Sequence, residues 1–136
     1  RFFESMARVL HCGLEGISTL SLESESPAVI TSQCSVFAES EVVTLINEGI
    51  QIVDIAAGVN SSVAGRLNSM VRKVGLVEDV ALTGGCAKNE GLAKALEQKL
   101  GVQVVKLPHD PQIAGALGAA IIATEKLAKQ SEAVSQ

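Results

Sequence analysis

Aromatic residues are nearly missing from this sequence, which holds three Phe, no Tyr and no Trp in 136 residues. Base-stacking platforms and interfacial aromatic belts are therefore excluded. Basic residues are also scarce, with 11 Lys and Arg against 15 Asp and Glu and a formal net charge of −4. Nucleic acid is excluded as a partner on that balance, because phosphate neutralisation needs a basic stripe. The longest stretch free of charge, residues 111–124, is broken by glycines, whereas a membrane span needs about 18 apolar residues. Cys12, Cys34 and Cys86 are odd in number and far apart, and the two histidines, His11 and His109, complete no zinc spacing. A disulfide scaffold and a self-contained zinc finger are ruled out. The opening Arg1-Phe2-Phe3-Glu4 is already in helical rhythm and has no leader-like region, so it reads as a cut inside a longer protein whose first helix starts upstream.

What is present is the balance of a folded domain, 47% hydrophobic and 19% charged, able to bury roughly two-thirds of its unfolded surface. A single domain is expected over 1–136, mostly helical over 1–76 and βαβα over 77–136. Phe2, Phe3, Met6, Val9 and Leu10 recur at helical spacing up to Gly13, which reads as a C-cap with Cys12 on the helix. Residues 14–32, rich in Ser and Glu around Pro27, read as short elements and loop. A helix is expected over 39–48, closed by Gly49. A longer one carries Val59, Val63, Leu67, Met70 and Val74 to a stop at Gly75, with Gly58 and Gly65 as points of break or close packing. Then follow a short strand at Val80-Ala81-Leu82, the Gly84-Gly85 loop, and a helix through Leu92, Leu96 and Leu100 to Gly101. A second strand over 102–107, a loop over 108–111 and a helix from Gln112 to about Lys129 complete a βαβα unit, with a solvated tail fraying into Ser-Gln. Its crossover makes the strands parallel, and further strands must come from elsewhere in the parent or another chain.

In such a sheet, ligands lie beyond the carboxyl ends of the strands. Gly84-Gly85-Cys86-Ala87-Lys88-Asn89 stands there: the glycines let backbone approach a ligand, and Asn89 is placed to cap the next helix. A tight strand-to-helix turn explains the same residues equally well. The small face of Gly115-Ala116-Leu117-Gly118 suits either helix packing or a nucleotide base. Cys34, ahead of a helix, suits a metal ligand, since unpaired N–H groups favour a thiolate, or an inert thiol. His109 and Asp110 read as a solvated turn, and Cys12 and Cys86 as structural.

Three stretches taken together resemble one family: Cys34-Ser35-Val36-Phe37-Ala38-Glu39-Ser40-Glu41-Val42, Leu82-Thr83-Gly84-Gly85-Cys86-Ala87-Lys88-Asn89, and residues 111–120 with Gln112, Gly115 and Gly118. In order and spacing they are similar to the C-terminal half of the BadF/BadG/BcrA/BcrD ATPase family, the activators of 2-hydroxyacyl-CoA dehydratases and benzoyl-CoA reductases. The resemblance runs from Arg1 to about Ala123. It implies an α/β, actin-like fold (acetate and sugar kinase/Hsp70/actin, RNase H-like) and binding of ATP or ADP with Mg2+. It also implies a [4Fe–4S] cluster on the axis of a homodimer, held by two cysteines per subunit, from which ATP hydrolysis drives an electron into the dehydratase or reductase. A ferredoxin- or flavodoxin-type donor and a cytoplasmic location go with that role.

Carried over by motif, Cys34 is one cluster ligand, Gly84 and Gly85 line the adenosine, and Asn89, Gln112 and Gly115 lie near it. The family's other cluster cysteine and its phosphate-binding loops belong to the half that this sequence does not match. ATP turnover by the 136 residues alone is not expected, since most of phosphoryl-transfer chemistry is electrostatic stabilisation by those loops. Two other readings remain open on the residues: a sugar-kinase-like phosphotransferase, and a non-enzymatic dimerisation module of the same fold.

Overall fold

The computed structural model describes residues 1–31 and 34–134, and side chains as far as residue 130. Six helices and a small sheet follow in the order α1 (Phe2–Val9), α2 (Leu14–Leu22), α3 (Ser35–Asn47), α4 (Ile52–Val74), β1 (Val80–Ala81), α5 (Glu90–Leu100), β2 (Val104–Val105) and α6 (Ala114–Val134). Short 3-10 turns at Gly85–Lys88 and Pro111–Ile113 lead into α5 and α6. The expected fraying at Ser135 and Gln136 lies outside the described residues.

Apolar periodicity builds two cores on opposite ends of α4. In one, Met6, Ile17, Ile30, Ala38, Val42, Ile55 and Val59 join α1, α2, α3 and the first half of α4. In the other, Ala64 meets Leu92, Leu96 and Leu100 of α5, with Val80 and Val104 of the sheet packed against them. The long helix thus bridges the two, lying against α2 at one end and α5 along the other.

The helix stops at Gly49, Gly75 and Gly101 take positive φ, and each ends its helix as the spacing indicates. Gly13 does not. α1 ends at Val9, His11 turns the chain at φ 50°, and Gly13 is instead the extended N-cap of α2. Cys12 therefore sits in the turn after α1 rather than on it, its N–H donating to the Ala7 carbonyl at 2.9 Å. Residues 14–22 are a nine-residue helix, since nothing breaks the chain before the Ser/Pro stretch. α3 begins four residues earlier than expected, and α4 runs unbroken from Ile52 through both Gly58 and Gly65.

Gly58 has a reason to be glycine that is not local. A Cβ there would collide with the Ala28 carbonyl, so the chain before α3 lies directly on α4. β1 and β2 pair in parallel, Val80 with Val104 and Ala81 with Val105. Both are shorter than the apolar runs that contain them, because each has only the other as a partner among the described residues. Among the described residues α6 packs chiefly against the turn that precedes it, and Leu117, Ile121, Ile122 and Leu127 are exposed. No helix among the described residues is long and apolar enough to cross a membrane.

Candidate functional site

Parallel pairing places the carboxyl ends of β1 and β2 side by side, and the two loops that leave them are tied together. Gly84, at φ 82° where a side chain would be strained, donates its N–H to the Pro111 carbonyl at 2.8 Å. Lys88 Nζ reaches Asp110 Oδ2 at 2.9 Å, and the other carboxylate oxygen accepts the Gln112 N–H at 2.9 Å. That N–H first, and the Lys88 ammonium second, hold the Asp110 carboxyl below its ordinary pKa. His109 and Asp110 form the expected exposed turn, and through Asp110 that turn also clasps the two loops together. Gln112 is brought over the Gly loop, with its Nε2 3.4 Å from where a Gly85 Cβ would stand.

Between this pair of loops and the first two helices lies an open cavity of about 410 Å³, lined by Gly85, Asn89 and Gln112 together with Phe3, Glu4 and Ser18. Its volume falls in the range of small-molecule sites, about 300 to 1,000 Å³. Of the residues singled out in the sequence, Gly85, Asn89 and Gln112 line this cavity, and Gly84 sets the turn that carries them. Gly115 is the second residue of α6, and neither it nor Gly118 has a neighbour within 4 Å of an added Cβ.

Behind the cavity wall runs a directed chain of hydrogen bonds. Asn89 caps α5 by accepting from Leu92 N–H at 3.0 Å, and its Nδ2 donates to Asn60 Oδ1 at 2.8 Å. Asn60, 1% exposed in the middle of α4, donates in turn to Ser21 Oγ at 2.8 Å, which donates to the Ser18 carbonyl at 2.7 Å. Ser18 Oγ accepts the Gly91 N–H at 3.3 Å. Every polar side-chain atom buried among the described residues is partnered, so the network is complete and fixes the cap rather than straining it. Sequence reasoning did not single out Asn60, Ser18 or the Lys88–Asp110 pair. The available signal for Asn60 was a polar residue adjoining the apolar stripe of α4.

Cys34 lies outside this cavity, at the head of a helix that packs into the first core. It is the exposed N-cap of α3, with φ −84° and ψ 131°, and its carbonyl accepts the Ala38 N–H at 2.9 Å. Val36 and Phe37, in the first turn of the same helix, are 66% and 68% exposed. No group of three or more His, Cys, Asp or Glu able to hold a metal occurs among the described residues. Cys86 is exposed in the Gly loop, and burial raises the pKa of Cys12.

With these positions in view, the sequence profile of the BadF/BadG/BcrA/BcrD ATPase family matches residues 1–123. The chain belongs to this family. Within it, the chain is 43% identical over 129 residues to an (R)-2-hydroxyglutaryl-CoA dehydratase activating ATPase of Acidaminococcus fermentans. It is 37% identical over 132 residues to a 2-hydroxyisocaproyl-CoA dehydratase activator of Clostridioides difficile, and 39% identical over 138 residues to a benzoyl-CoA reductase polypeptide of Thauera aromatica. These matches cover 95% to 97% of this chain and 49% of each relative, so the chain spans about half their length. Solved structures agree. The C. difficile activator with bound ADPNP superposes with a TM-score of 0.88 at 35% identity, covering 97% of this chain and 49% of the other. The A. fermentans dehydratase component A does so at 0.89 and 42%, covering 94% and 49%. The α/β, actin-like fold implied by the sequence motifs is the fold of this family member.

Proposed function

We propose that this chain is the part of an ATP-dependent electron-transfer activator that presents one cluster ligand and the adenosine side of the nucleotide site. The observation that carries the reading is Cys34, an exposed thiol at the head of a thirteen-residue helix and followed at once by exposed Val36 and Phe37. An inert structural cysteine is usually buried, whereas a ligand shared between two subunits has to stand at an apolar surface.

The residues fit one ligand position of a [4Fe–4S] cluster and no more, because such a cluster needs four thiolates and, among the described residues, no second cysteine joins Cys34 in a metal-holding group. A homodimer with two cysteines from each subunit meets that need. When bound, the cluster supplies one-electron transfer at low potential. The chain's own contribution is to present the Cys34 sulfur, exposed, at the start of α3.

On the nucleotide side, ATP or ADP with Mg2+ lies with its adenosine against Gly84 and Gly85, beside Asn89, Gln112 and the helix that begins near Gly115. Gly85 leaves room for backbone contact, and Asn89 Nδ2 carries a second proton beyond the one given to Asn60. The ADPNP bound in the C. difficile relative supports a nucleotide as the ligand. The partner is a 2-hydroxyacyl-CoA dehydratase or benzoyl-CoA reductase, reduced from a ferredoxin- or flavodoxin-type donor in the cytoplasm.

Iron and acid-labile sulfide, measured after anoxic purification of the protein carrying this sequence, should amount to one four-iron cluster per two chains. Cys34→Ser should abolish both, because two protein thiolates cannot hold the cluster stably, while Cys12→Ser and Cys86→Ser should keep it. Full iron in the Cys34→Ser protein would end the electron-transfer reading.

A further inference from the structure

The geometry points to Glu41 as a positioning residue that sets where Cys34 is presented, by pinning the chain that leads into it. The inference rests on Cys34 being a cluster ligand, as proposed above.

Glu41 follows Cys34 by seven residues, two turns of α3, and so lies on the same stripe of the helix. Its Oε1 accepts two hydrogen bonds from one residue, the Thr31 N–H at 2.9 Å and the Thr31 hydroxyl at 2.9 Å. Thr31 stands three residues before Cys34 on the incoming stretch of chain.

Its described part is held at three points, Ala28, Ile30 and Thr31. At Ala28 the backbone N–H donates to the Asp54 carbonyl at 2.9 Å, and Gly58 admits the Ala28 carbonyl against α4. At Ile30 the side chain enters the first core beside Ile55 and Val59. At Thr31 the hold passes from α4 to α3 through Glu41. On the other side of the thiol, the Cys34 carbonyl is bonded to Ala38, which is fully buried together with Val42. The segment carrying the thiol is therefore bracketed between Thr31 and Ala38, and Glu41 ties the first bracket to the helix of the second.

A metal ligand has to be held to within about 0.5 Å of its productive place by groups that do not themselves touch the metal. Removing such support typically costs roughly 10- to 100-fold in metal affinity. Glu41 has the chemistry that this support requires, because a carboxylate oxygen accepting two charge-assisted bonds is held strongly and directionally. It acts through Thr31 and touches neither cluster nor nucleotide.

The test uses the anoxically purified protein carrying this sequence and reads the rate of iron release to a ferrous chelator, with nucleotide affinity and melting temperature measured alongside. Glu41→Ala should release iron about 10- to 100-fold faster than the parent, with nucleotide affinity unchanged, since no residue of α3 lines the cavity by Gly85. Glu41→Gln keeps an acceptor oxygen in place and should return the rate most of the way to that of the parent. Thr31→Val, at an exposed position, removes one of the two bonds and should fall between them without a folding defect. A parental release rate in Glu41→Ala, or an equal acceleration in Glu41→Gln and Glu41→Ala, would overturn the role. Should Glu41→Ala be too unstable to isolate, a parental rate in Thr31→Val would overturn it equally. Cys34→Ser separates the two levels: iron retained there defeats the ligand assignment, whereas iron lost there with Glu41→Ala behaving as the parent defeats the positioning role alone.

Discussion

Replacing Gly91 by Ala should destabilise the protein, although Ala is the better helix former. Gly91 lies in the first turn of α5, where Ala is favoured intrinsically by up to about 1 kcal/mol. Its backbone also presses on α2 and α4. An added Cβ would overlap the Ser21 hydroxyl and stand 2.5 Å from Asn60 Nδ2 and 3.2 Å from the Ser18 carbonyl oxygen. The carbonyl is backbone and cannot swing aside, so the strain falls on the two polar side chains. Displacing them breaks the Asn60–Ser21 bond and loosens the Asn89–Asn60 bond, each of which contributes about 1 kcal/mol, and leaving a buried amide unsatisfied costs about 1–3 kcal/mol more. The net expectation is a loss of about 2–4 kcal/mol after the helix gain is set against it. Gly65→Ala is the matched control, because its Cβ would meet only the Lys99 Cε at 3.9 Å, an ordinary contact. That change should stabilise α4 by about 0.5–1 kcal/mol. Urea denaturation of the parent and both variants reads the two signs directly. Equal or increased stability in Gly91→Ala would refute the close-packing account of the Asn60 network.

Gly85→Val should weaken nucleotide binding, read by calorimetry, by more than it lowers the melting temperature, because only the end of Gln112 stands near its added side chain; a lowered melting temperature at unchanged affinity would favour a purely structural turn. For Asp110, the folded carboxyl titrates below its unfolded value, so its stabilising contribution is present above the ordinary carboxylate range and is lost as pH falls through the lowered folded value. In Lys88→Met an NMR titration should still find that carboxyl depressed, since the Gln112 N–H is the larger cause, and a return to the ordinary value would contradict this. In the iron-free protein near neutral pH, Cys34 and Cys86 should alkylate several-fold faster than Cys12, which is partly buried and has a raised pKa; mass spectrometry of a short iodoacetamide pulse checks the order.

The features legible in the residues are those set by local chemistry. Glycines after apolar stripes stop α3, α4 and α5, because Gly49, Gly75 and Gly101 adopt the positive φ that other residues resist. Asn89 ahead of a helical pattern reads as a cap and is one, and two apolar runs separated by a helix yield parallel strands. The misread end at Gly13 shows the limit of the same logic. His11 makes the turn, leaving Gly13 to begin the next helix, and glycine serves at either end.

Membership of the family, the parallel crossover and the candidate residues Cys34, Gly84, Gly85, Asn89 and Gln112 could all be reached from the sequence, because each depends on residue type at a fixed local spacing. Tertiary structure alone decided why Gly58 must be small and why Gly91 sits against Asn60, since in each case the constraint is a backbone or side chain more than 20 residues away. It also decided that Lys88 and Asp110 clasp the two strand-end loops, and that Glu41 holds the chain ahead of Cys34. A hydrogen bond between distant residues leaves no periodicity to read, because what selects it is the position in space to which the two cores bring its donor and acceptor.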